Sequence, residues 1–252
     1  VADITWALQG YTANLFRKTT LIEMAGVGKD PVDATKRMWK VYNKHLASEY
    51  SRVKVIAIWA LDAPVIHTKI KPVNKISDLK GMKIRTPSQY QAWLIQAMGA
   101  TPVPMPATKI YNSLDRGVID GVLISPSGVK SFKLNEVTKY HSDGIAWGRS
   151  PFFAVMNKKS YASLSKKHKG VIDTTTGLAM SLKAAAVYAA DGKKARKKLK
   201  GDSKRTFIEL PASEVAKAAA LLKKAEGDII GRVKKEGIDV VPALSALRAA
   251  GG

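Results

Sequence analysis

The sequence predicts an α/β protein, and three features support that prediction. Apolar runs of strand length, such as residues 55–61, are rich in β-branched side chains. They alternate with longer stretches in which apolar residues recur at helical spacing. With 252 residues, 46% of them hydrophobic, the chain can bury a core that suits one large domain or two small lobes.

The first elements follow from local patterns. Residues 1–6 are typical of a strand. Asp30 is a good N-cap and Pro31 suits the first helical turn, so a helix is expected from there to about Tyr50. Residues 53–61 predict a buried strand, and a connection covers 63–75.

The central stretch, 78–126, carries the most information. A turn containing glycine leads into a short strand at 82–86, and Ser88 caps a helix that ends near Gly99. Arg85 therefore lies at the carboxyl end of a strand, where open α/β sheets bind their ligands. A second short strand is expected at 121–124.

The remaining elements are a strand and two long helices. The strand covers 152–156, and an alanine-rich helix runs from Ser165 to about Leu199. Ser213 is expected to cap a further helix that ends near residue 235. The tail beyond it, rich in Ala and Gly, is predicted to be loose.

Three motifs in the central stretch carry a family resemblance: DLKGMKIR, then GATPVPM, then YNSLDRGVIDG. In this order they resemble the substrate-binding proteins of tripartite ATP-independent periplasmic (TRAP) transporters, which capture small organic acids outside the inner membrane. The resemblance implies a two-lobed periplasmic binding protein (Venus-flytrap) fold in which a long helix spans both lobes. Lobe I would comprise residues 1–62 plus 151–190, and lobe II residues 63–150 plus 191–252.

The resemblance also implies that the family's first segment, a strand, a helix and a second crossover, is missing before the first strand of this chain. Two explanations stay open. Either the sequence is a piece of a longer one, or lobe I has an open sheet edge, which would favour aggregation.

Arg85 is the strongest candidate for a ligand contact. A guanidinium presents paired donors that match a carboxylate, and the pair strengthens away from water. The alternative from the sequence alone is an ordinary surface arginine. The resemblance implies that the arginine of the K-I-R motif clamps the carboxylate. Ser125 stands where many family members have an asparagine, and His67 lies near the place of a second family arginine, although a capping or surface role also fits it.

Further pocket residues follow from the resemblance alone. Trp59 and Trp147 would face the cleft, although core packing is the simpler explanation of each tryptophan taken alone. Ala107 stands where some relatives have a phenylalanine, which leaves room for a carboxylate with an apolar or aromatic body. The polar contacts would come from four side chains: Gln9, Tyr11, Ser88 and Gln89.

The resemblance implies a periplasmic receptor that closes on its ligand and delivers it to membrane permease subunits. Arg85, Ser125 and Trp147 would close against Gln9, Tyr11 and Trp59. Such a receptor is not an enzyme and needs no nucleotide, no cofactor or metal site is predicted, and whether a metal ion assists carboxylate binding stays open. The four histidines form no local metal motif, and the absence of cysteine excludes a thiolate nucleophile or ligand.

The formal net charge of +22 supports an alternative, a protein that binds nucleic acid or an anionic membrane. The basic residues are spread along the chain, with a maximum at 158–205, a segment that contains fourteen basic and three acidic residues. A solvated lysine-rich helix explains this maximum more simply, and no nucleic-acid motif accompanies it. No nucleic acid is therefore expected as a partner. A small-molecule enzyme is the other alternative, but no residue singles itself out for catalysis.

Overall fold

The computed structural model describes residues 2–251, and it contains two sheets joined by crossing segments. The strands are β1 (Ile4–Leu8), β2 (Val53–Ala60), β3 (Val65–Thr68), β4 (Lys83–Thr86), β5 (Thr101–Pro104), β6 (Gly121–Ile124), β7 (Tyr140–Asp143), β8 (Pro151–Asn157) and β9 (Thr206–Glu209). The α-helices are α1 (Pro31–Val41), α2 (Gln89–Ala97), α3 (Ile110–Asp115), α4 (Pro126–Ser131), α5 (Lys158–Ser163), α6 (Lys166–Thr175), α7 (Leu178–Lys200), α8 (Ala212–Lys235) and α9 (Val241–Ala249). The mixed α/β fold predicted from the sequence is confirmed.

One sheet has three antiparallel strands in the order β1-β8-β2, and the other has six in the order β5-β4-β6-β3-β7-β9. In the larger sheet β4 runs parallel to β5 and β6, whereas β3 is antiparallel to β6 and β7. The carboxyl end of β4, which carries Arg85, therefore lies between two parallel neighbours. This is the position where such sheets bind ligands.

Helix α7 is the element that joins the two halves. It packs against α1 and β2 beside the smaller sheet and against α4 and β9 beside the larger one. Its buried residues follow one face of the helix, namely Ser181, Ala185, Gly192 and Leu199. The long helix that spans both lobes is thus present, although it is shorter than predicted.

The predicted helix from Ser165 to Leu199 is wrong in one respect, because it is broken in two. Ser165 does cap α6, accepting a hydrogen bond from the backbone of His168 at 3.2 Å. The break falls at Gly177, whose φ of 75° is outside the helical range. The N–H of Gly177 donates to the carbonyl of Ile56 in β2 at 2.7 Å, so the break anchors the start of α7 to the smaller sheet.

Other predicted elements agree, with exceptions. Asp30 caps α1 through the N–H of Asp33 at 2.8 Å, and Ser88 caps α2 through the N–H of Gln91 at 3.1 Å. The connection predicted for 63–75 instead contains β3, which pairs with strands on both sides. Ser213 lies inside α8 and does not cap it, because that helix begins directly after Pro211.

The tail predicted to be loose instead forms α9, which buries Ala243, Leu244 and Leu247. This helix packs against α1, the helix that lies on β2. The lobe boundaries stay a prediction. They assign residues 241–249 to lobe II, whereas α9 contacts α1, which lies in the range assigned to lobe I. The part of the predicted first strand at Val1 lies outside the described residues. Within 2–251, no helix combines the length and the hydropathy that crossing a membrane requires.

Candidate functional site

A cavity of about 170 Å³ lies between the two sheets, against the end of β4. Its lining includes six apolar side chains, those of Trp6, Leu8, Leu61, Leu123, Phe152 and Tyr188, and six polar ones, those of Arg85, Asp62, Gln91, Ser125, Ser127 and Ser150. The stacked rings among them, those of Trp6, Phe152 and Tyr188, are called the aromatic wall, and the polar side chains are called the polar wall. The cavity therefore combines an apolar body with a few polar groups, which is the usual composition of a small-molecule site.

Arg85 is buried, with 1% of its surface exposed, and it lines the cavity. Its Nε donates to the carbonyl of Met105 at 2.9 Å, and its Nη1 lies 3.4 Å from the carbonyl of Leu123. Among residues 2–251, no carboxylate forms an ion pair with this guanidinium. Burial lowers the pKa of Arg85 to about 10, so the side chain still carries its charge at neutral pH.

Glu23, in a 3-10 turn at 19–23 that precedes α1, lies behind the polar wall and is completely buried. Its carboxyl group accepts hydrogen bonds from the hydroxyl of Ser88, from Ser150 at 3.2 Å and from the amide of Gln91 at 3.3 Å. Burial nevertheless raises the pKa of Glu23 to about 8, against the opposing effects of these hydrogen bonds and of Arg85. At neutral pH this carboxyl group is therefore mostly protonated and does not neutralise Arg85.

The aromatic wall is built by stacking across β1, β8 and α7. Phe152 stacks on Trp6 with ring centroids 5.6 Å apart and on Tyr188 with centroids 6.2 Å apart. Trp59 also stacks on Phe152, with ring centroids 5.6 Å apart, but it does not line the cavity. These contacts fix a flat apolar surface against which a ring can lie.

Four of the predicted residues meet at this cavity. Arg85, Ser125, Tyr11 and Ala107 all line it. The hydroxyl of Tyr11 accepts a hydrogen bond from the backbone N–H of Ala107 at 2.9 Å, and the hydroxyl of Ser125 lies 3.1 Å from that of Ser127.

The remaining predicted residues lie outside the lining. Trp147 is packed in the core, and Gln9 is buried with its amide donating to Tyr50 at 3.0 Å. Trp59 backs the aromatic wall from behind. Ser88 binds Glu23, and Gln89 is exposed on a neighbouring groove.

His67 faces away from the cavity within the larger sheet. Its Nδ1 lies 2.7 Å from the Nδ1 of His141, so one ring donates a proton and the other accepts it. Burial lowers the pKa of both rings, that of His141 to about 4. Both rings are therefore neutral at pH 7, and in this state the Nδ1–H of one ring can donate to the unprotonated Nδ1 of the other.

Sequence reasoning missed Glu23, Asp62, Gln91, Phe152 and Tyr188. Glu23 is a single acidic residue between apolar neighbours, in the order Leu21, Ile22, Glu23 and Met24, and this isolation was a usable indication. Nothing in the sequence distinguishes the others. Within the described residues, no group of three or more His, Cys, Asp or Glu side chains could hold a metal ion.

The chain belongs to the family of bacterial extracellular solute-binding proteins, family 7, whose model matches residues 1–228. That family consists of binding proteins and not of enzymes, in agreement with the prediction. It also supports the receptor interpretation over a protein that binds polyanions.

Two of the relatives are named as periplasmic binding proteins. The C4-dicarboxylate-binding periplasmic protein of Rhodobacter capsulatus is 28% identical over 181 residues, which cover 69% of this chain and 52% of the relative. The 2,3-diketo-L-gulonate-binding periplasmic protein of Escherichia coli is 32% identical over 156 residues, 61% of this chain and 47% of the relative. The chain thus spans about half the length of these relatives.

Solved structures of TRAP solute-binding proteins share the two-lobed fold. A marine metagenome protein specific for aromatic acid ligands, in complex with 3-hydroxybenzoate, is 32% identical with a TM-score of 0.92. A Rhodoferax ferrireducens protein with copurified benzoate is 28% identical, also with a TM-score of 0.92. Each match covers 99% of this chain and 78% of the other. A Bordetella bronchiseptica protein with bound mandelate is 26% identical, with a TM-score of 0.88, and the match covers 99% of this chain and 80% of that one.

Proposed function

We propose that the chain binds a carboxylate with an aromatic or largely apolar body and that Arg85 clamps the carboxylate. The observation that carries this proposal is a buried guanidinium at the cavity wall with no ion pair to any carboxylate of the described chain. A buried charge without a counter-ion is costly, and an anionic ligand would supply one. The two terminal nitrogens of the guanidinium can donate together to a carboxylate.

The size and the wall of the cavity support a ligand with one ring. An apolar cavity of about 150 Å³ holds benzene in another protein, and the cavity here measures about 170 Å³. Phe152 and Tyr188 offer ring faces to such a ligand. Benzoate, 3-hydroxybenzoate and mandelate, the ligands of three similar structures, all combine a carboxylate with a single ring.

The proposed mechanism is capture by closure of two lobes, 1–62 plus 151–190 and 63–150 plus 191–252, on the ligand. Tyr11 from the side of the smaller sheet meets Arg85 and Ala107 from the larger one, with the ligand as a further bridge. Ser125 would add a hydrogen bond to the ligand from the larger-sheet side. The receptor would act in the periplasm, as the names of two relatives suggest, and it would deliver its ligand to membrane permease subunits.

Isothermal titration calorimetry tests this proposal. Benzoate and mandelate should bind the unmodified chain, and a uronic acid should bind more weakly because the aromatic wall offers its hydroxyl groups few partners. Arg85→Met keeps an unbranched side chain and removes the guanidinium with its charge, and it should weaken benzoate binding by about 30-fold or more. Arg116→Met, at an exposed arginine away from the cavity, is the matched control and should leave the affinity unchanged. Equal affinities in the two variants would refute the clamp.

A further inference from the structure

Asp62 is a second charged side chain at the cavity, and its surroundings differ from those of Arg85. It follows β2 in the segment that crosses from the smaller sheet to the larger one, it is 8% exposed, and it lines the cavity. In the part of the chain that the structure describes, no arginine, lysine or histidine forms an ion pair with it. A buried carboxylate normally has such a partner or a full set of hydrogen bonds.

Both hydrogen bonds of good geometry to Asp62 come from one residue of α4. The hydroxyl of Ser125 and the N–H of Asp62 itself are close enough to help lower the pKa of Asp62, which burial raises on balance. The hydroxyl of Ser127 donates to Oδ1 at 2.6 Å, and the N–H of the same residue lies 3.3 Å from Oδ2. An ionised carboxylate has about four acceptor positions. At least part of this capacity is therefore free at the cavity wall.

Asp62 and Arg85 have different neighbours at the cavity. Arg85 is surrounded by Tyr11, by the backbone of Met105 and by Glu23. Asp62 contacts Ser127 instead. Helix α7 approaches Asp62 so closely that a Cβ added to Gly192 would lie 2.6 Å from the Cβ of Asp62. A ligand whose carboxylate sits on Arg85 therefore presents another part of its ring to Asp62.

We propose that Asp62 selects, among aromatic acids, those that carry a hydroxyl group on the ring, by accepting a hydrogen bond from that hydroxyl. This inference rests on the proposed function, because it needs a ring acid held by Arg85. A hydroxyl that donates to a carboxylate forms a strong, charge-assisted hydrogen bond. A ring without a hydrogen-bond donor at that place would displace water from Asp62 without replacing its hydrogen bond, so such a ligand is disfavoured.

A purely structural role for Asp62 makes a different prediction. The same carboxylate ties the crossing segment to α4 through Ser127. Loss of that tie would weaken every ligand by a similar factor, because it would act on the closure of the lobes. Only a direct contact with the ligand changes the ratio between two acids of similar size.

The test compares hydroxylated and fluorinated acids by calorimetry. Benzoate, the three hydroxybenzoates and the three matching fluorobenzoates are titrated into the unmodified chain, into Asp62→Asn and into Ser127→Ala. Fluorine is similar in size to a hydroxyl group and cannot donate. We expect one hydroxybenzoate to bind the unmodified chain roughly tenfold more tightly than its fluorinated counterpart.

Asp62→Asn should reduce that ratio severalfold, and any loss through the tie to Ser127 should weaken all the acids by the same factor. Ser127→Ala removes the hydroxyl that holds Asp62 but keeps the carboxylate, so the ratio should persist. If some acids bind but no isomer shows a ratio above one, or if Asp62→Asn leaves the ratio unchanged, this inference is overturned and the proposed function stands. If none of the acids binds, the proposed function fails and this inference with it.

Discussion

The hydroxyl of Tyr11 lies 3.5 Å from Nη2 of Arg85 and joins the two halves of the molecule at the edge of the cavity. Tyr11 comes three residues after the end of β1, next to Gly10, and Arg85 lies in β4 of the larger sheet. A Cβ on Gly10 would lie 2.6 Å from the Cβ of Ser88, so the two segments touch backbone to side chain at this point. Tyr11 therefore helps to orient the guanidinium only when the halves are close together.

Tyr11→Phe should weaken benzoate binding by about three- to tenfold, because it removes a hydroxyl that contacts Arg85 and the N–H of Ala107. Tyr111→Phe is the matched control, since its hydroxyl contacts only Glu136 on the surface among the described residues. Calorimetry of the two variants checks this. An equal effect in both, or none in Tyr11→Phe, would show that the hydroxyl does not position Arg85.

Gly192→Ala should destabilise the protein by about 1–3 kcal/mol, because α7 has no room for a methyl group beside Asp62. Gly227→Ala in α8 provides the control. Nothing lies within 4 Å of a Cβ at that position, so alanine should stabilise the helix by about 0.5–1 kcal/mol. Urea unfolding measures both changes, and a neutral or stabilising Gly192→Ala would contradict the close packing of α7 on the crossing segment.

The free energy of unfolding should depend on the ionisation of Glu23. Burial raises the pKa of this carboxyl from 4.5 to about 8. Between these pH values the folded state keeps a proton that the unfolded state loses. The contribution of this proton to the free energy of unfolding is therefore complete below about pH 4.5 and disappears as the pH rises through about 8.

Glu23→Gln replaces the protonated carboxyl by a neutral amide of the same shape and removes this dependence. Urea unfolding of both proteins between about pH 5 and about pH 8 should therefore show the unmodified chain losing several kcal/mol relative to the variant. Parallel pH profiles would mean that Glu23 is ionised when folded.

The pair of His67 and His141 should act in the opposite direction at lower pH. Burial lowers the pKa of both rings, to about 4 for His141, whereas unfolded histidine titrates near 6.5. Between about pH 6.5 and 4 the unfolded state binds more protons, so the free energy of unfolding should fall as the pH falls. The double variant His67→Leu, His141→Leu lacks both groups and should show a flatter profile in this window. NMR titration that finds either ring charged near pH 6 would refute the neutral pair.

Much of the fold was accessible from the sequence, because caps and periodicity are local. Asp30 and Ser88 were recognisable as N-caps, and β2, β4, β6 and β8 as apolar runs. The break at Gly177 was missed, since glycine also occurs inside helices and the bond that fixes it here comes from Ile56, far along the chain. Helix α9 was missed because its stability comes from packing on α1, which composition does not reveal.

The candidate site was only partly accessible, for a similar reason. Arg85 could be found because its place at a strand end follows from local pattern. Asp62 and Phe152 reach the cavity through the crossing of chain segments that are distant in sequence. The aromatic residues Trp59 and Trp147 were expected at the ligand, whereas one backs the wall and the other fills the core. Residue type does not distinguish a tryptophan that contacts a ligand from one that packs in the core, and only the tertiary packing does so.

A crystal structure of the chain grown with benzoate shows whether Arg85 binds the carboxylate. We expect the ligand carboxylate on the guanidinium of Arg85 at about 2.8 Å, with the ring against Phe152 and Tyr188. Benzoate bound at another surface, or bound in this cavity with its carboxylate away from Arg85, would contradict it.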